Sequence, residues 1–243
     1  MKHLLILGRP GVGKSTLMKR LTQSLRHRQI DGFVTEELRE AGQRMGFWLS
    51  VLDGRQVLLA HRRMASGVRV GPYRVNVEVL DQVAVPVILR GMQHALILFV
   101  DELGAMELTS RRLTTAVEEA FDRGPSIVAT ASIQPLPFLD ALKRRKDVEL
   151  IVLSTSNREV VCEELMARLN ALCDEDEAVR ALQREADRIC GMIVSGDIPQ
   201  IDIEIQQAAL RDRVAHTFPD QQALYQLLFE SRFRRLWQQF RHG

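Results

Sequence analysis

This sequence of 243 residues contains few cysteines, no long apolar segment and almost no net charge. Its three cysteines, Cys162, Cys173 and Cys190, are an odd number and form no C-x-x-C pair. That pattern argues against a disulfide framework or a zinc site and favours a reducing, cytoplasmic location. The first apolar run, residues 4–7, stops at Gly8. A secretory signal needs roughly 7–15 apolar residues and a membrane span about 18–20, so we expect no membrane partner.

The charged residues are balanced and interspersed along the chain. There are 33 Lys and Arg residues and 31 Asp and Glu residues, which leaves a formal net charge of +2. This balance gives no reason to predict a nucleic-acid partner, and the densest basic cluster, residues 143–146, is interpreted as a solvated surface. Hydrophobic residues make up 46% of the chain, which is enough to build a substantial core.

A phosphate-binding loop is predicted near the start of the chain. Residues 8–15, GRPGVGKS, match the pattern G-x-x-x-x-G-K-[ST] at every fixed position, between an apolar run and an amphipathic stretch. The glycines let successive backbone N–H groups point at one anion, and the following helix adds its positive N-terminal end. Lys14 is placed to reach the β- and γ-phosphates, and the Ser15 hydroxyl is placed to bind Mg²⁺.

Two carboxylates directly follow the most apolar run of the chain, residues 95–100. A P-loop site needs an acid at the carboxyl end of a neighbouring strand to hold Mg²⁺, usually through its water shell, and Asp101 suits this role. Glu102 is then placed to polarise the attacking water as the general base. Glu107 is an alternative for the base, and the cations Arg39 and Arg44 are candidates for contacting the phosphates.

The order of apolar and amphipathic stretches predicts an α/β fold. Apolar strands and helical stretches alternate up to residue 172, as expected for a mainly parallel sheet flanked by helices. Residues 32–59 alternate polar and apolar side chains, which predicts antiparallel hairpins with a turn at Asp53-Gly54. A helix is predicted over residues 159–172, and the acidic run at 174–177 is interpreted as the start of another. We therefore expect a P-loop domain at residues 1–172 and a helical C-terminal extension at 173–243.

Several blocks beyond the P-loop resemble one family. They are residues 32–40, 43–47, 72–76, 100–108 and 156–159. Together with the P-loop they resemble the small P-loop nucleoside-triphosphatases first known from thermophiles, a family that includes the human cancer-related nucleoside-triphosphatase. The resemblance covers roughly residues 1–172. It implies a RecA-like core that slowly hydrolyses ATP, GTP and other nucleoside triphosphates with broad base tolerance.

The resemblance also implies roles for particular residues. Gly13, Lys14, Ser15 and Thr16 would lie at the phosphates, Asp101 at Mg²⁺ and Glu102 near the water. Independently of the resemblance, Asn157 and Arg158 follow the last predicted core strand, where a loop can contact the base or ribose. The full set of predicted nucleotide contacts is Gly8, Arg9, Pro10, Gly11, Val12, Gly13, Lys14, Ser15, Thr16 and Arg158. One departure is Ala105, where members of the family often have a basic residue or proline.

Two other functions are compatible with the same motifs. A nucleotide or nucleoside kinase uses the same loop and Mg²⁺ but transfers the phosphoryl group to a bound acceptor. A nucleotide-dependent switch or assembly module would use slow hydrolysis to time a contact made by the C-terminal helices. The resemblance does not extend to those helices, whose apolar residues Phe233, Trp237 and Phe240 are predicted to pack on the core, on a protein partner or on another subunit.

Overall fold

The structure is a computed structural model that describes residues 3–241. The last two residues of the predicted C-terminal extension lie outside this range. The chain forms two compact units, Met1–Asn170 and Ala171–Gly243. Whether the two parts fold independently, with a division at residue 172, remains a prediction.

The first unit contains a nine-stranded sheet. Its strands are β1 His3–Gly8, β2 Ile30–Glu40, β3 Gln43–Val51, β4 Gln56–His61, β5 Val68–Val70, β6 Tyr73–Val75, β7 Ile97–Leu103, β8 Ser126–Ser132 and β9 Val148–Val152. They are ordered β5-β6-β4-β3-β2-β7-β8-β1-β9 across the sheet. The pairs β2–β7, β7–β8, β8–β1 and β1–β9 are parallel. The pairs β2–β3, β3–β4, β4–β6 and β6–β5 are antiparallel. The sheet is therefore mixed, with the predicted hairpins forming its antiparallel half.

Helices flank this sheet, as the α/β prediction requires. They are α1 Lys14–Ser24, α2 Val77–Val79, α3 Val85–His94, α4 Arg111–Arg123 and α5 Pro137–Lys143. A π-helical turn, Leu80–Ala84, joins α2 to α3, and a 3₁₀ turn, Glu107–Thr109, precedes α4. Leu4, Leu5 and Ile6 of β1 are all fully buried, because β1 is an inner strand with apolar side chains on both faces. The α/β class is confirmed.

Two boundaries differ from the predictions. Strand β7 continues to Leu103, so Asp101 and Glu102 belong to the end of the strand rather than following it. The helix predicted over 159–172 is much longer: α6 runs from Arg158 to Ser195. The acidic run at 174–177 therefore lies inside a helix and does not begin one. The helix contains no proline, Asp176 pairs with Arg180 one turn later (2.6 Å), and the chain turns only at Gly196, which has a φ of 79°.

The second unit is helical and has its own apolar cluster. It contains the later part of α6, followed by α7 Gln200–Thr217, α8 Gln222–Tyr225 and α9 Ser231–Phe240. A 3₁₀ turn, Pro219–Gln221, precedes α8, and a π-helical turn, Gln226–Glu230, leads into α9. Phe233 is buried in the cluster, Trp237 packs against it, and Phe240 stays exposed. The predicted helical C-terminal region is thus confirmed.

None of the helices within residues 3–241 combines the length and apolar character needed to cross a bilayer.

Candidate functional site

The predicted phosphate loop connects β1 to α1. Strand β1 ends at Gly8 and α1 begins at Lys14. Gly11 and Gly13 have φ angles of 79° and 106°, a left-handed conformation in which a side chain is strained. At Gly8, a Cβ would lie 2.7 Å from Cγ1 of Val12 and 3.1 Å from the backbone oxygen of Leu153. The loop winds as tightly as a phosphate cradle requires.

Lys14 lies across this loop and reaches the acidic strand. Its side chain is only 6% exposed. Nζ donates a hydrogen bond to the backbone oxygen of Gly8 (3.1 Å) and lies 3.3 Å from Oε2 of Glu102. The structure thus brings together the lysine of the loop and a carboxylate of β7, two residues that are far apart in the sequence.

Asp101 is fully buried beside the loop. One of its carboxylate oxygens, Oδ1, accepts a hydrogen bond from the hydroxyl of Thr130 on β8. Its backbone oxygen accepts a hydrogen bond from Oγ1 of Thr35 on β2 (2.7 Å). The other carboxylate oxygen, Oδ2, is buried and has no hydrogen-bond partner among residues 3–241. A buried carboxylate oxygen without a partner is costly unless a cation or an ordered water satisfies it.

The surroundings of Asp101 act on its acidity in opposite directions. Burial, together with the nearby Glu102 carboxylate, raises the pKa of Asp101 to about 6. The hydroxyls of Thr130 and Ser15 and the charge of Lys14 favour the ionised form and lower the pKa. Ser15 and Asp101, the two predicted metal-site residues, are therefore neighbours in the structure.

Glu102 and Glu107 lie on either side of Gly104 but differ in exposure. A Cβ on Gly104 would lie 3.1 Å from Oε1 of Glu102 and 3.2 Å from Oε2 of Glu107. The Glu102 side chain is 32% exposed, whereas Glu107 is 3% exposed and accepts a hydrogen bond from the backbone N–H of Gly104 (3.2 Å). Burial raises the pKa of Glu107 to about 8, helped by the charges of Glu102 and Asp101. Glu107 therefore carries its proton at neutral pH.

Arg158 lies beside the loop, whereas the two hairpin arginines are engaged elsewhere. The Cδ atom of Arg158 lies 3.9 Å from the position that a Cβ on Gly13 would occupy. Arg39 and Arg44 both bind Glu37, with N–O distances of 2.5 and 2.8 Å. Their other hydrogen bonds within residues 3–241 go to the backbone of the same hairpin and to Tyr73.

Sequence analysis did not identify two threonines that hold the acidic strand. Thr130 and Thr35 both bind Asp101 but belong to other strands and lie 29 and 66 residues away from it in the chain. No spacing pattern in the sequence marks them, because their role depends on the pairing of three strands.

The described residues contain no group of three or more His, Cys, Asp or Glu side chains that could bind a metal without help. A P-loop metal does not need one, because phosphate and water oxygens supply most of its ligands. The unpartnered Oδ2 of Asp101, with the neighbouring Ser15 hydroxyl, suits a hydrated divalent cation.

Comparisons with known proteins agree on one family. A family model described as NTPase matches residues 3–166. The nucleoside-triphosphatase THEP1 of Thermotoga sp. (strain RQ2) is 40% identical over 166 residues, which cover 68% of this chain and 94% of the relative. The crystal structure of THEP1 from Aquifex aeolicus matches 69% of this chain and 98% of its own, with 31% identity and a TM-score of 0.63. The solution structure of a human cancer-related nucleoside triphosphatase matches 70% and 98%, with 29% identity and a TM-score of 0.61.

Proposed function

Because this chain belongs to the NTPase family, we propose that it hydrolyses nucleoside triphosphates to the diphosphate and phosphate at the site between its P-loop and β7. The observation that carries the proposal is the contact of the P-loop lysine with the acidic strand. Lys14 Nζ lies 3.3 Å from Glu102, and Asp101 is buried next to Ser15. A phosphate cradle, a cation-binding acid and a base for water are the parts that phosphoryl transfer to water requires.

The loop residues divide the binding of the triphosphate among themselves. The backbone N–H groups from Gly13 to Thr16, at the positive end of α1, would bind the phosphates, and Lys14 would neutralise charge on the β- and γ-phosphates. Lys14 needs little rearrangement for this, because it is already buried and held at the mouth of the loop. Ala105 provides no cation, and Arg39 and Arg44 are held by Glu37. Lys14 is therefore the cation that we place at the transition state.

Glu102 is the better candidate for the general base. A base must be ionised and must reach a water molecule next to the γ-phosphate. Glu102 is partly exposed and contacts Lys14, whereas Glu107 is buried and protonated at neutral pH. We therefore assign proton abstraction to Glu102 and leave Glu107 outside the chemistry.

The metal that suits the site is Mg²⁺. Ser15 would bind it through its hydroxyl, and the free Oδ2 of Asp101 would hold its water shell. When bound, Mg²⁺ neutralises charge on the β- and γ-phosphate oxygens. Thr130 orients the Asp101 carboxylate through Oδ1 and so leaves Oδ2 directed to this task.

The test measures phosphate release from ATP and GTP with Mg²⁺, with and without added nucleosides and nucleoside monophosphates. A hydrolase releases phosphate at a rate that these acceptors do not change, whereas a kinase consumes the triphosphate only when an acceptor is present. Glu102→Gln should slow release by roughly 10²–10⁴-fold without weakening nucleotide binding. Glu107→Gln is the matched control. Its rate of phosphate release should stay within about two-fold of the unmodified protein's rate, because the exchange replaces one neutral group by another. If the two variants show the reverse phenotypes, Glu107 is the base and our assignment is wrong.

A further inference from the structure

The order of the strands indicates on which side of the P-loop the γ-phosphate and the nucleoside of a bound triphosphate lie. Strand β1, which leads into the P-loop, has β8 and then β7 on one side and β9 on the other. Glu102 on β7 contacts Lys14, so the γ-phosphate and the water lie on the β7 side. The nucleoside must then leave the loop toward β9. The segment of chain that it meets there is the connection between β9 and α6, residues 153–157, together with the first residue of α6.

This connection is held rigidly against the P-loop strand. The backbone N–H of Leu153 donates to the backbone oxygen of Leu7 (2.7 Å). The Asn157 side chain closes the connection on itself: Oδ1 accepts from the backbone N–H of Ser154 (2.7 Å), and Nδ2 donates to the backbone oxygen of Val152 (2.9 Å). Both polar ends of the Asn157 amide are therefore engaged. The amide in this connection that is best suited to read the edge of a base is thus held by the connection itself.

Arg158 is the first residue after this connection, and its guanidinium is weakly held. The stem of its side chain lies against the loop at Gly13, with Cδ 3.9 Å from the position of a Cβ there. The side chain is 54% exposed, and Nε lies 3.6 Å from Oε1 of Glu159. Glu159 itself is bound more closely by Arg20, at 2.7 Å. A planar cation thus stands where the nucleoside leaves the loop.

We propose that Arg158 binds the nucleobase through the face of its ring, and that this contact does not distinguish one base edge from another. The inference rests on the proposed NTP hydrolysis and adds how the nucleoside end is held. A guanidinium plane stacks on any aromatic ring, because every base presents a π face. Adenine and guanine differ in the groups at their edges but offer nearly the same face. Arg158 should therefore contribute equally to the binding of ATP and of GTP.

The experiment compares substrates with and without a base. Phosphate release from ATP, GTP and inorganic tripolyphosphate is measured with Mg²⁺ for the unmodified protein, Arg158→Ala and Arg158→Lys. Arg158→Ala should raise KM for ATP and for GTP by about two- to five-fold with kcat nearly unchanged, the scale of an exposed cation–π contact. Tripolyphosphate hydrolysis should not change. Arg158→Lys should not restore the ATP and GTP values fully, because an ammonium has no plane to stack.

The control and the binding measurement separate this inference from the proposed function. Arg123→Ala removes another exposed arginine, at the end of α4. It should leave KM and kcat unchanged for all three substrates. Calorimetric binding of ADP and of pyrophosphate does not require turnover. Arg158→Ala should weaken ADP binding by about two- to five-fold and leave pyrophosphate binding unchanged. If no phosphate is released from any substrate, the proposed hydrolysis fails, and these binding data still decide the role of Arg158.

Two results would overturn the inference. An equal rise in KM for tripolyphosphate and the nucleotides, or an equal loss of affinity for pyrophosphate and ADP, would show that Arg158 binds phosphate. A rise in KM for GTP without a rise for ATP, or the reverse, would show that Arg158 reads a base edge.

Discussion

Replacing the buried Glu107 by glutamine should stabilise the first unit at neutral pH. Burial raises the pKa of Glu107 from the ordinary value of 4.5 to about 8, so the folded protein binds a proton that the unfolded chain releases. Folding then takes up a proton throughout this window, and the free energy of unfolding falls as pH rises from 4.5 to 8. Each pH unit corresponds to about 1.4 kcal/mol. At pH 7 the accumulated loss is about 3 kcal/mol.

Glu107→Gln keeps the size of the side chain and cannot ionise. Its oxygen can still accept the hydrogen bond that the N–H of Gly104 now donates to Oε2 (3.2 Å). The variant should therefore be more stable than the unmodified protein by about 3 kcal/mol at pH 7, and the difference should shrink to near zero as pH falls to 4.5. Above pH 8 the difference should become constant, because the glutamate is then ionised in both states.

Urea unfolding from pH 5 to 9 measures this difference. The chain has two tryptophans, so a Trp237→Phe background leaves Trp48, in the first unit, as the only fluorescent tryptophan. Glu119→Gln, an exposed carboxylate on α4, is the control and should change stability by less than about 0.5 kcal/mol at every pH. If the advantage of Glu107→Gln is the same at pH 5 and pH 8, Glu107 does not titrate in this window and the reasoning fails.

Four further changes test other parts of the structure. Lys14→Ala should abolish most phosphate release while circular dichroism shows an intact fold; near-normal turnover would refute the P-loop assignment. Gly32→Ala should cost more than about 3 kcal/mol in urea unfolding, because the new Cβ would lie 2.0 Å from a backbone oxygen of β7 at a φ of 133°. Arg241→Ala removes hydrogen bonds of 2.9–3.0 Å to four backbone oxygens around the end of α6 and should destabilise the second unit by about 2 kcal/mol, as measured by thermal unfolding. A chain truncated after Leu172 should still bind Mg·NTP in calorimetry; a folded truncation without binding would show that the C-terminal helices complete the site.

The local patterns of the chain were sufficient to predict the α/β fold and to single out the glycine loop and the two carboxylates that the structure brings together. A tight glycine loop between an apolar strand and a helix is encoded by neighbouring residues, and so is a carboxylate at the end of a buried strand. The Asp53-Gly54 turn and the hairpins were predicted for the same reason. The helical C-terminal region followed from the sequence pattern. The continuous α6 did not, because the acidic run resembles a helix start, whereas in the structure Asp176 pairs with Arg180 inside the helix.

The tertiary structure decided which polar groups meet and which are removed from water. Thr130 and Thr35 bind Asp101 only because the pairing of β2, β7 and β8 sets three distant segments in one register. Glu102 and Glu107 differ in their surroundings, because the side chain of Glu102 is partly exposed and that of Glu107 is buried. The desolvation that keeps Glu107 protonated comes from the packing around it, which local sequence patterns do not register.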